Sequence, residues 1–109
     1  MKLILEAGCE VYNPDFKSKT FTNADHTYKT IDSFDERFIR VNESLPDTAL
    51  RFINSPYIWG GRVPSGIDCS GFTQLVYKIH YIPIPRDSYQ QAETGQNVDF
   101  IDNTEPGDL

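Results

Sequence analysis

The segment PYIWGGRVPSGIDCSGF, residues 56–72, constrains the fold more than any other part of this chain of 109 residues. It approaches Cys69 through a stretch rich in glycine that also contains Pro64, which is typical of a shaped loop rather than a core element. Beyond the cysteine, apolar residues recur at intervals of three, four and seven, at Phe72, Leu75, Val76 and Ile79. This spacing predicts one buried face of a helix, with Cys69 in the first turn.

A cysteine at this position has two opposite interpretations. Cysteine is among the most buried residue types and usually packs as a small hydrophobe. Unpaired N–H groups and the positive end of the helix dipole, however, favour an anion at a helix start, and a thiolate is the form that attacks carbonyl carbon. Asp68 and Ser70 are polar neighbours that suit a helix N-terminus, with Asp68 as the cap. We therefore predict a reactive Cys69, with a buried structural cysteine as the alternative.

Composition indicates a folded domain and argues against several classes of partner. Hydrophobic residues make up 39% of the chain and aromatic residues 13%, which suffices for a core and argues against disorder. The net charge of −6 disfavours nucleic acid and anionic membranes, and no apolar run approaches the ~20 residues of a membrane span. Neither the two cysteines, Cys9 and Cys69, nor His26 and His80 have the spacing of a metal site, so we predict no metal and no other cofactor.

Residues 1–42 are predicted to form a β-rich N-terminal extension. They read as three or four short strands with turns at 13–15 and 23–25, and Cys9 is predicted to lie in the first strand. The segment ERFIRVN at 36–42 is predicted to be one of these strands. We interpret this extension as the remnant of a Src-homology-type module, although it carries no specific motif.

Residues 43–109 are predicted to alternate helices with loops. Ser44 and Asp47 resemble a capping pair for a helix from Pro46 to Asn54, with a buried stripe of Ala49, Leu50 and Ile53. A short helix is predicted from Ser88 to Thr94, a strand at 98–101 and a turn at 105–108. Because such a turn normally introduces another strand, the sequence is expected to be truncated at Leu109.

Four short motifs follow one another between Pro56 and Leu109. They are Tyr57-Ile58-Trp59-Gly60-Gly61, Asp68-Cys69-Ser70-Gly71-Phe72, Pro85-Arg86-Asp87-Ser88 with Gln91, and Pro106-Gly107-Asp108-Leu109. In this order and spacing they resemble the NlpC-type family of bacterial cell-wall cysteine peptidases. The resemblance covers about half of the chain and about the first half of the family's domain. It implies an α+β, papain-like fold in which the helix of the nucleophile packs on an antiparallel sheet.

The resemblance also implies a reaction and the residues that carry it. Members hydrolyse amide bonds in peptidoglycan stem peptides, often between γ-D-glutamate and a diamino acid such as meso-diaminopimelate. Cys69 matches the nucleophile that forms an acyl-enzyme, and Tyr57 matches the active-site tyrosine whose hydroxyl lies near the thiol. Asp68 and Ser70 match positions that hold the terminal amine of free peptides, with a purely capping Asp68 as the alternative.

For the remaining motif residues we predict structural rather than catalytic roles. Trp59 is predicted to be a core aromatic, and Tyr57 has the same alternative. Arg86 is predicted to form a structural ion pair or to bind a carbonyl group. Gln91 is predicted to satisfy backbone groups of its own segment.

The family's general base is a histidine that follows the Gly-Asp-Leu segment, and no histidine follows it in this sequence. His80 lies eleven residues after Cys69 on the same predicted helix, and at ~1.5 Å per residue it would be ~16 Å away. His26 belongs to the β-rich extension. We therefore predict that this chain holds no general base and is poorly active unless a second chain or a complementing C-terminal fragment supplies one.

Two rival functions remain open from the sequence. One is a non-catalytic half-domain that binds, swaps or dimerises, and the other is a related papain-like amidase or acyltransferase. The resemblance suggests the bacterial cell envelope or periplasm as the location, with cytoplasmic recycling of wall peptides as the alternative.

Overall fold

A computed structural model of the chain describes residues 4–31 and 42–109. The described residues form helices and β-strands, which confirms the predicted α+β class. Their contacts define two compact units, one of Cys9–Asn42 and a larger one of Met1–Gly8 with Glu43–Leu109. The assignment of residues 1–42 to a module of their own stays a prediction.

The smaller unit is a three-stranded antiparallel sheet. Its strands are β1 (Tyr12–Asp15), β2 (Thr20–Asn23) and β3 (His26–Lys29), in the order β1-β2-β3. Strands β2 and β3 are joined at Ala24 and Asp25, where the predicted turn is confirmed by a positive φ of 51° at Ala24. Phe21 is buried and stacks on Tyr28, with ring centroids 5.5 Å apart.

Three predictions for this unit need correction or fall outside the description. The turn predicted at 13–15 is wrong, because these residues belong to β1 and the chain turns at 16–19 instead. The Asp15 carboxylate fixes that turn by accepting hydrogen bonds from the N–H groups of Lys17 and Ser18. Cys9 is exposed and lies outside the strands. The strand predicted at 36–42 lies outside the described residues, apart from Asn42.

The larger unit is organised around one helix. Its elements are α1 (Leu45–Leu50), β4 (Arg62–Val63), β5 (Gly66–Ile67), α2 (Cys69–Ile79) and α3 (Ser88–Ala92), and β4 and β5 pair as an antiparallel hairpin. Helix α2 confirms the prediction from the apolar spacing, since Leu75 and Val76 are buried and Phe72 packs edge-on against Phe52. Burying an aliphatic side chain of this size contributes about 1.5–3 kcal/mol.

Helix α1 begins as predicted and ends early. The Ser44 hydroxyl accepts a hydrogen bond from the Asp47 N–H (3.2 Å), and Pro46 occupies the first turn. The helix stops at Leu50 rather than Asn54, because the chain turns over the next residues and Asn54 adopts a positive φ of 69°.

The predicted buried stripe of α1 is wrong. Leu50 and Ile53 are exposed, whereas Thr48 is fully buried. The Thr48 hydroxyl donates to a Glu43 carboxylate oxygen (3.0 Å) and lies 2.7 Å from His80 Nε2 at the end of α2. The polar contacts of Thr48 therefore hold the short α1 against α2, although the sequence predicted an apolar face there.

The segment after α2 contains one short helix and one turn that the sequence located correctly. Helix α3 begins at Ser88 as predicted, but ends at Ala92. The strand predicted at 98–101 is wrong, because the residues form bends and enter a 3-10 turn at Ile101–Asn103. The turn at 105–108 is confirmed by a hydrogen bond from the Asp108 N–H to the Glu105 carbonyl (3.0 Å). Among the described residues, no helix is long and apolar enough to cross a membrane.

Candidate active site

The loop before β4 lies against the residues that precede Cys69. The Ile67 N–H donates to the Pro56 carbonyl (3.0 Å), and the Ile58 N–H donates to the Ile67 carbonyl (3.2 Å). Tyr57 therefore forms a parallel bridge with Ile67, only two positions before Cys69 in the chain. The Tyr57 side chain is 63% exposed. Backbone pairing thus brings a solvent-accessible phenol to the side of the loop that leads into α2.

Cys69 is the first residue of α2, and its side chain is free and exposed. The first N–H groups of a helix have no acceptor within the helix. The Asp68 carboxylate caps the N–H of Gly71, and among the described residues the N–H groups of Cys69 and Ser70 have no acceptor. An exposed thiol therefore lies beside backbone donors that have no acceptor among the described residues.

Asp68 is buried, and both of its carboxylate oxygens accept hydrogen bonds. Oδ1 accepts from the Gly71 N–H (2.7 Å), while Oδ2 accepts from the Gly60 N–H (2.9 Å) and from Arg86 Nη2 (2.6 Å). The Arg86 hydrogen bond and then the Gly71 N–H lower the pKa of Asp68 from 3.8 to about 2. Asp68 is therefore ionised at neutral pH and joins the helix start to the glycine loop.

Arg86 connects three parts of the site. Besides Asp68, its guanidinium donates to the Ser70 hydroxyl (2.7 Å) and to the Gly61 carbonyl (3.3 Å). The Asp68 hydrogen bond raises the pKa of Arg86 above its ordinary value. Only 17% of the Arg86 side chain and 10% of the Asp68 side chain are exposed, so the pair is largely desolvated. The predicted ion pair and carbonyl contact of Arg86 are both confirmed.

Gln91 fixes the segment that carries Arg86. Its side chain is buried, and Nε2 donates to the carbonyl groups of Ser70 (3.0 Å) and Pro85 (2.9 Å). The predicted role of Gln91 in satisfying backbone groups is confirmed. One of these groups belongs to the first turn of α2, so Gln91 also ties α3 to the residue that follows the cysteine.

Two glycines of the site, Gly61 and Gly71, also lie in close contact. A Cβ added at Gly71 would overlap the carbonyl oxygen of Gly61 and would lie 3.0 Å from Asp68 Oδ1. The glycine loop therefore lies directly on the first turn of α2. The sequence showed both glycines but not their contact, since they are ten positions apart and the β4–β5 hairpin lies between them.

The sequence model of the NlpC/P60 family matches residues 54–109, which is just over half of the chain. The matched segment includes every residue of the site described above. The chain belongs to the NlpC/P60 family. The resemblance inferred from the four motifs is thereby confirmed.

Two relatives of this NlpC/P60 chain are named as dipeptidyl-peptidases. It is 46% identical over 67 residues to the gamma-D-glutamyl-L-lysine dipeptidyl-peptidase of Bacillus cereus, a match that covers 62% of this chain and 20% of that protein. It is 35% identical over 94 residues to the protein of the same name from Bacillus subtilis, covering 75% and 31%.

A crystal structure of an NlpC/P60 family protein from Bacillus cereus is also similar. It shares 36% sequence identity with a TM-score of 0.55, and the match covers 75% of this chain and 26% of that one. The chain therefore spans less than a third of the length of each of these relatives.

Trp59 does not lie in a core, and His80 does not lie close to Cys69. The prediction that Trp59 is a core aromatic is wrong, because its side chain is 88% exposed next to the glycine loop. His80 caps the far end of α2, where its ring contacts Thr48, so the helix length separates it from Cys69. His26 lies in β3 of the smaller unit. Within residues 4–31 and 42–109, no group of three or more His, Cys, Asp or Glu side chains is arranged to hold a metal ion.

Proposed function

We propose that this NlpC/P60 chain carries the nucleophile of a cysteine endopeptidase that hydrolyses γ-D-glutamyl–diamino acid bonds in peptidoglycan stem peptides. The observation that carries the proposal is the exposed, unpaired Cys69 at the start of α2, next to free backbone donors. The names of the two Bacillus relatives support the γ-D-glutamyl specificity and the diamino acid side of the bond.

The proposed chemistry begins with attack of the Cys69 thiolate on the γ-carbonyl carbon of D-glutamate. The Cys69 N–H accommodates the negative charge that develops on the carbonyl oxygen, and the Tyr57 hydroxyl supplies a second donor. The C–N bond then breaks, the amine leaves after it has gained a proton, and water hydrolyses the thioester. A helix N-terminus suits this reaction because its donors are fixed before the charge appears.

We assign recognition of the substrate's terminal amine to Ser70 and Asp68. Arg86 uses one lone pair of the Ser70 hydroxyl, and the hydroxyl itself points toward Asp68 Oδ1 at 3.4 Å. A second lone pair of Ser70 remains for an ammonium group. The Asp68 carboxylate supplies the complementary negative charge, although its own oxygens are already used by Gly71, Gly60 and Arg86.

We further propose that the general base comes from a polypeptide segment outside these 109 residues, in the same or a second chain. His80, the histidine of the larger unit, is held by Thr48 at the opposite end of α2. Exposed apolar side chains at Phe100, Ile101 and Leu109 offer surface on which such a segment would pack.

An activated ester tests the nucleophile without requiring the base. The p-nitrophenyl ester of L-Ala-γ-D-Glu releases a phenolate that needs no protonation, so acylation depends on Cys69 and its oxyanion donors. We expect p-nitrophenol release with a mass increase on Cys69, abolished in Cys69→Ala and retained in Cys9→Ala. Equal acylation of Cys9, or equal rates with the α-linked ester, would contradict the proposal.

An amide substrate tests the complete reaction. For L-Ala-γ-D-Glu-L-Lys we expect background hydrolysis with this chain alone. Hydrolysis should appear when the histidine-bearing segment of an NlpC/P60 domain is joined after Leu109, and it should be lost again in Cys69→Ala. If the extended protein cleaves the peptide equally well without Cys69, the peptidase assignment fails.

A further inference from the structure

The guanidinium of Arg86 is held by the two residues that flank Cys69. It donates to Asp68 Oδ2 at 2.6 Å on one side and to Ser70 Oγ at 2.7 Å on the other. Gln91 holds the same segment through the Ser70 carbonyl (3.0 Å), and the Gly61 carbonyl accepts a third Arg86 hydrogen bond (3.3 Å). A positive charge is therefore fixed next to the first turn of α2, the turn that carries the thiol.

The arrangement matters because Asp68 places a negative charge immediately before the cysteine. A carboxylate next to a thiolate opposes the second negative charge, whereas a neighbouring cation favours it. The guanidinium is hydrogen-bonded to the residues on both sides of Cys69, and the Asp68 hydrogen bond is the largest cause of its raised pKa. The contacts in the site thus set a positive charge against the negative charge of Asp68, next to Cys69 in the chain.

We propose that Arg86 is a positioning residue that sets the electrostatic potential at the Cys69 sulfur, by offsetting the Asp68 charge while its fork holds Asp68 and Ser70 in place. This role rests on the proposed function, in which Cys69 reacts as a thiolate. Arg86 acts through its neighbours and touches neither substrate nor reacting atoms.

The proposal predicts that two substitutions change the electrostatic potential at the Cys69 sulfur in opposite directions, whereas a purely structural role does not predict this. Removal of the Arg86 charge leaves the Asp68 carboxylate unbalanced and makes the potential at the sulfur more negative. Removal of the Asp68 charge leaves the guanidinium unbalanced and makes it more positive. Loss of packing alone would change access to the thiol in the same direction in both variants.

Two alkylating reagents separate potential from access. Iodoacetate and iodoacetamide both react with the thiolate and expel iodide, but only iodoacetate is charged. Their rate ratio at Cys69 therefore cancels the thiolate fraction and the exposure of the sulfur. It can be measured for Cys69 and Cys9 in one sample by peptide mass spectrometry, and Cys9 in the smaller unit serves as the internal reference.

In Arg86→Gln we expect the iodoacetate-to-iodoacetamide ratio at Cys69 to fall, and in Asp68→Asn we expect it to rise, each by roughly three- to tenfold at low salt. Arg86→Lys loses the fork but keeps the positive charge, so its ratio should stay within about twofold of the unmodified chain. In 1 M salt the Debye length falls to about 3 Å, so the differences should shrink. Arg51→Gln is the matched control, because Arg51 forms an exposed ion pair with Glu43 at 2.9 Å, and its ratio should not change.

The proposal is overturned if Arg86→Gln and Asp68→Asn shift the ratio in the same direction, or if neither shifts it beyond Arg51→Gln. If Arg86→Gln does not fold, as judged by circular dichroism, an unchanged ratio in Asp68→Asn has the same consequence. The result is distinguishable from a failure of the proposed function, because the alkylation ratio involves no peptide substrate. A chain that shows the opposite shifts but no acylation by the γ-D-glutamyl ester would retain the electrostatic pair and lose the peptidase assignment.

Discussion

Replacement of Gly71 by alanine is the sharpest test of how the glycine loop is held on α2. In an isolated helix the change is favourable by about 1 kcal/mol, because alanine loses less conformational entropy than glycine. In this protein the new Cβ would overlap the Gly61 carbonyl oxygen and lie 3.3 Å from its carbonyl carbon. The loop would have to move, since the obstructing atoms belong to backbone and not to a flexible side chain.

The size of the effect follows from what holds that carbonyl. The Gly61 oxygen accepts hydrogen bonds from the Asp68 N–H (3.3 Å) and from Arg86 Nη2 (3.3 Å), and a typical hydrogen bond contributes about 1 kcal/mol. Overpacking adds typically 1–3 kcal/mol. Set against the gain in helix propensity, we expect Gly71→Ala to lower the free energy of unfolding by about 1–4 kcal/mol.

Urea unfolding followed by far-UV circular dichroism measures this change, because every α-helix of the described residues lies in the larger unit. Gly95→Ala is the matched control. A Cβ there would meet nothing within 4 Å, and its φ lies outside the left-handed region, so the substitution should be neutral or stabilising by up to about 1 kcal/mol. If Gly71→Ala is as stable as Gly95→Ala, the close contact between the loop and α2 is wrong.

Three further predictions concern individual polar side chains. Because the folded-state pKa of Asp68 is lowered from 3.8 to about 2, the ionised carboxylate stabilises the fold above about pH 4, and this contribution is lost as the pH falls from about 4 to 2. The free energy of unfolding, measured as a function of pH, should show this loss in the unmodified chain and not in Asp68→Asn. Thr48→Val should lower the free energy of unfolding in urea by about 1–3 kcal/mol, because Glu43 and His80 lose their shared buried partner. The control Thr73→Val removes only a hydroxyl contact with a carbonyl of its own helix and should change it by less than about 0.5 kcal/mol. Equal losses in the two variants would show that the Thr48 contacts do not hold α1 on α2. Tyr77→Phe removes the hydrogen bond to the Gly107 carbonyl and should cost about 0.5–1.5 kcal/mol; faster proteolysis at 105–108 is the accompanying sign, and an unchanged cleavage rate would show that the bond does not hold this turn.

Local sequence signals predicted the parts of the fold that depend on neighbouring residues. The Ser44 cap, the turn at Ala24 and the helix that begins at Cys69 all follow from side chains within a few positions of one another. The prediction of which face of α1 would be covered failed. Leu50 and Ile53 have the right spacing for a buried stripe but are exposed, while Thr48 occupies the covered side.

The position of Cys69 at a helix start was therefore determined by the sequence, and the setting of this cysteine was decided by the tertiary structure. A glycine loop, a capping carboxylate and an apolar helical repeat are enough to predict Cys69 at a helix start, because each acts over one or two turns. The sequence does not indicate that Arg86 spans Asp68, Ser70 and Gly61, or that Gly71 touches Gly61. Those contacts join residues 10 to 25 positions apart, and only the packing of loop, hairpin and helices brings them together.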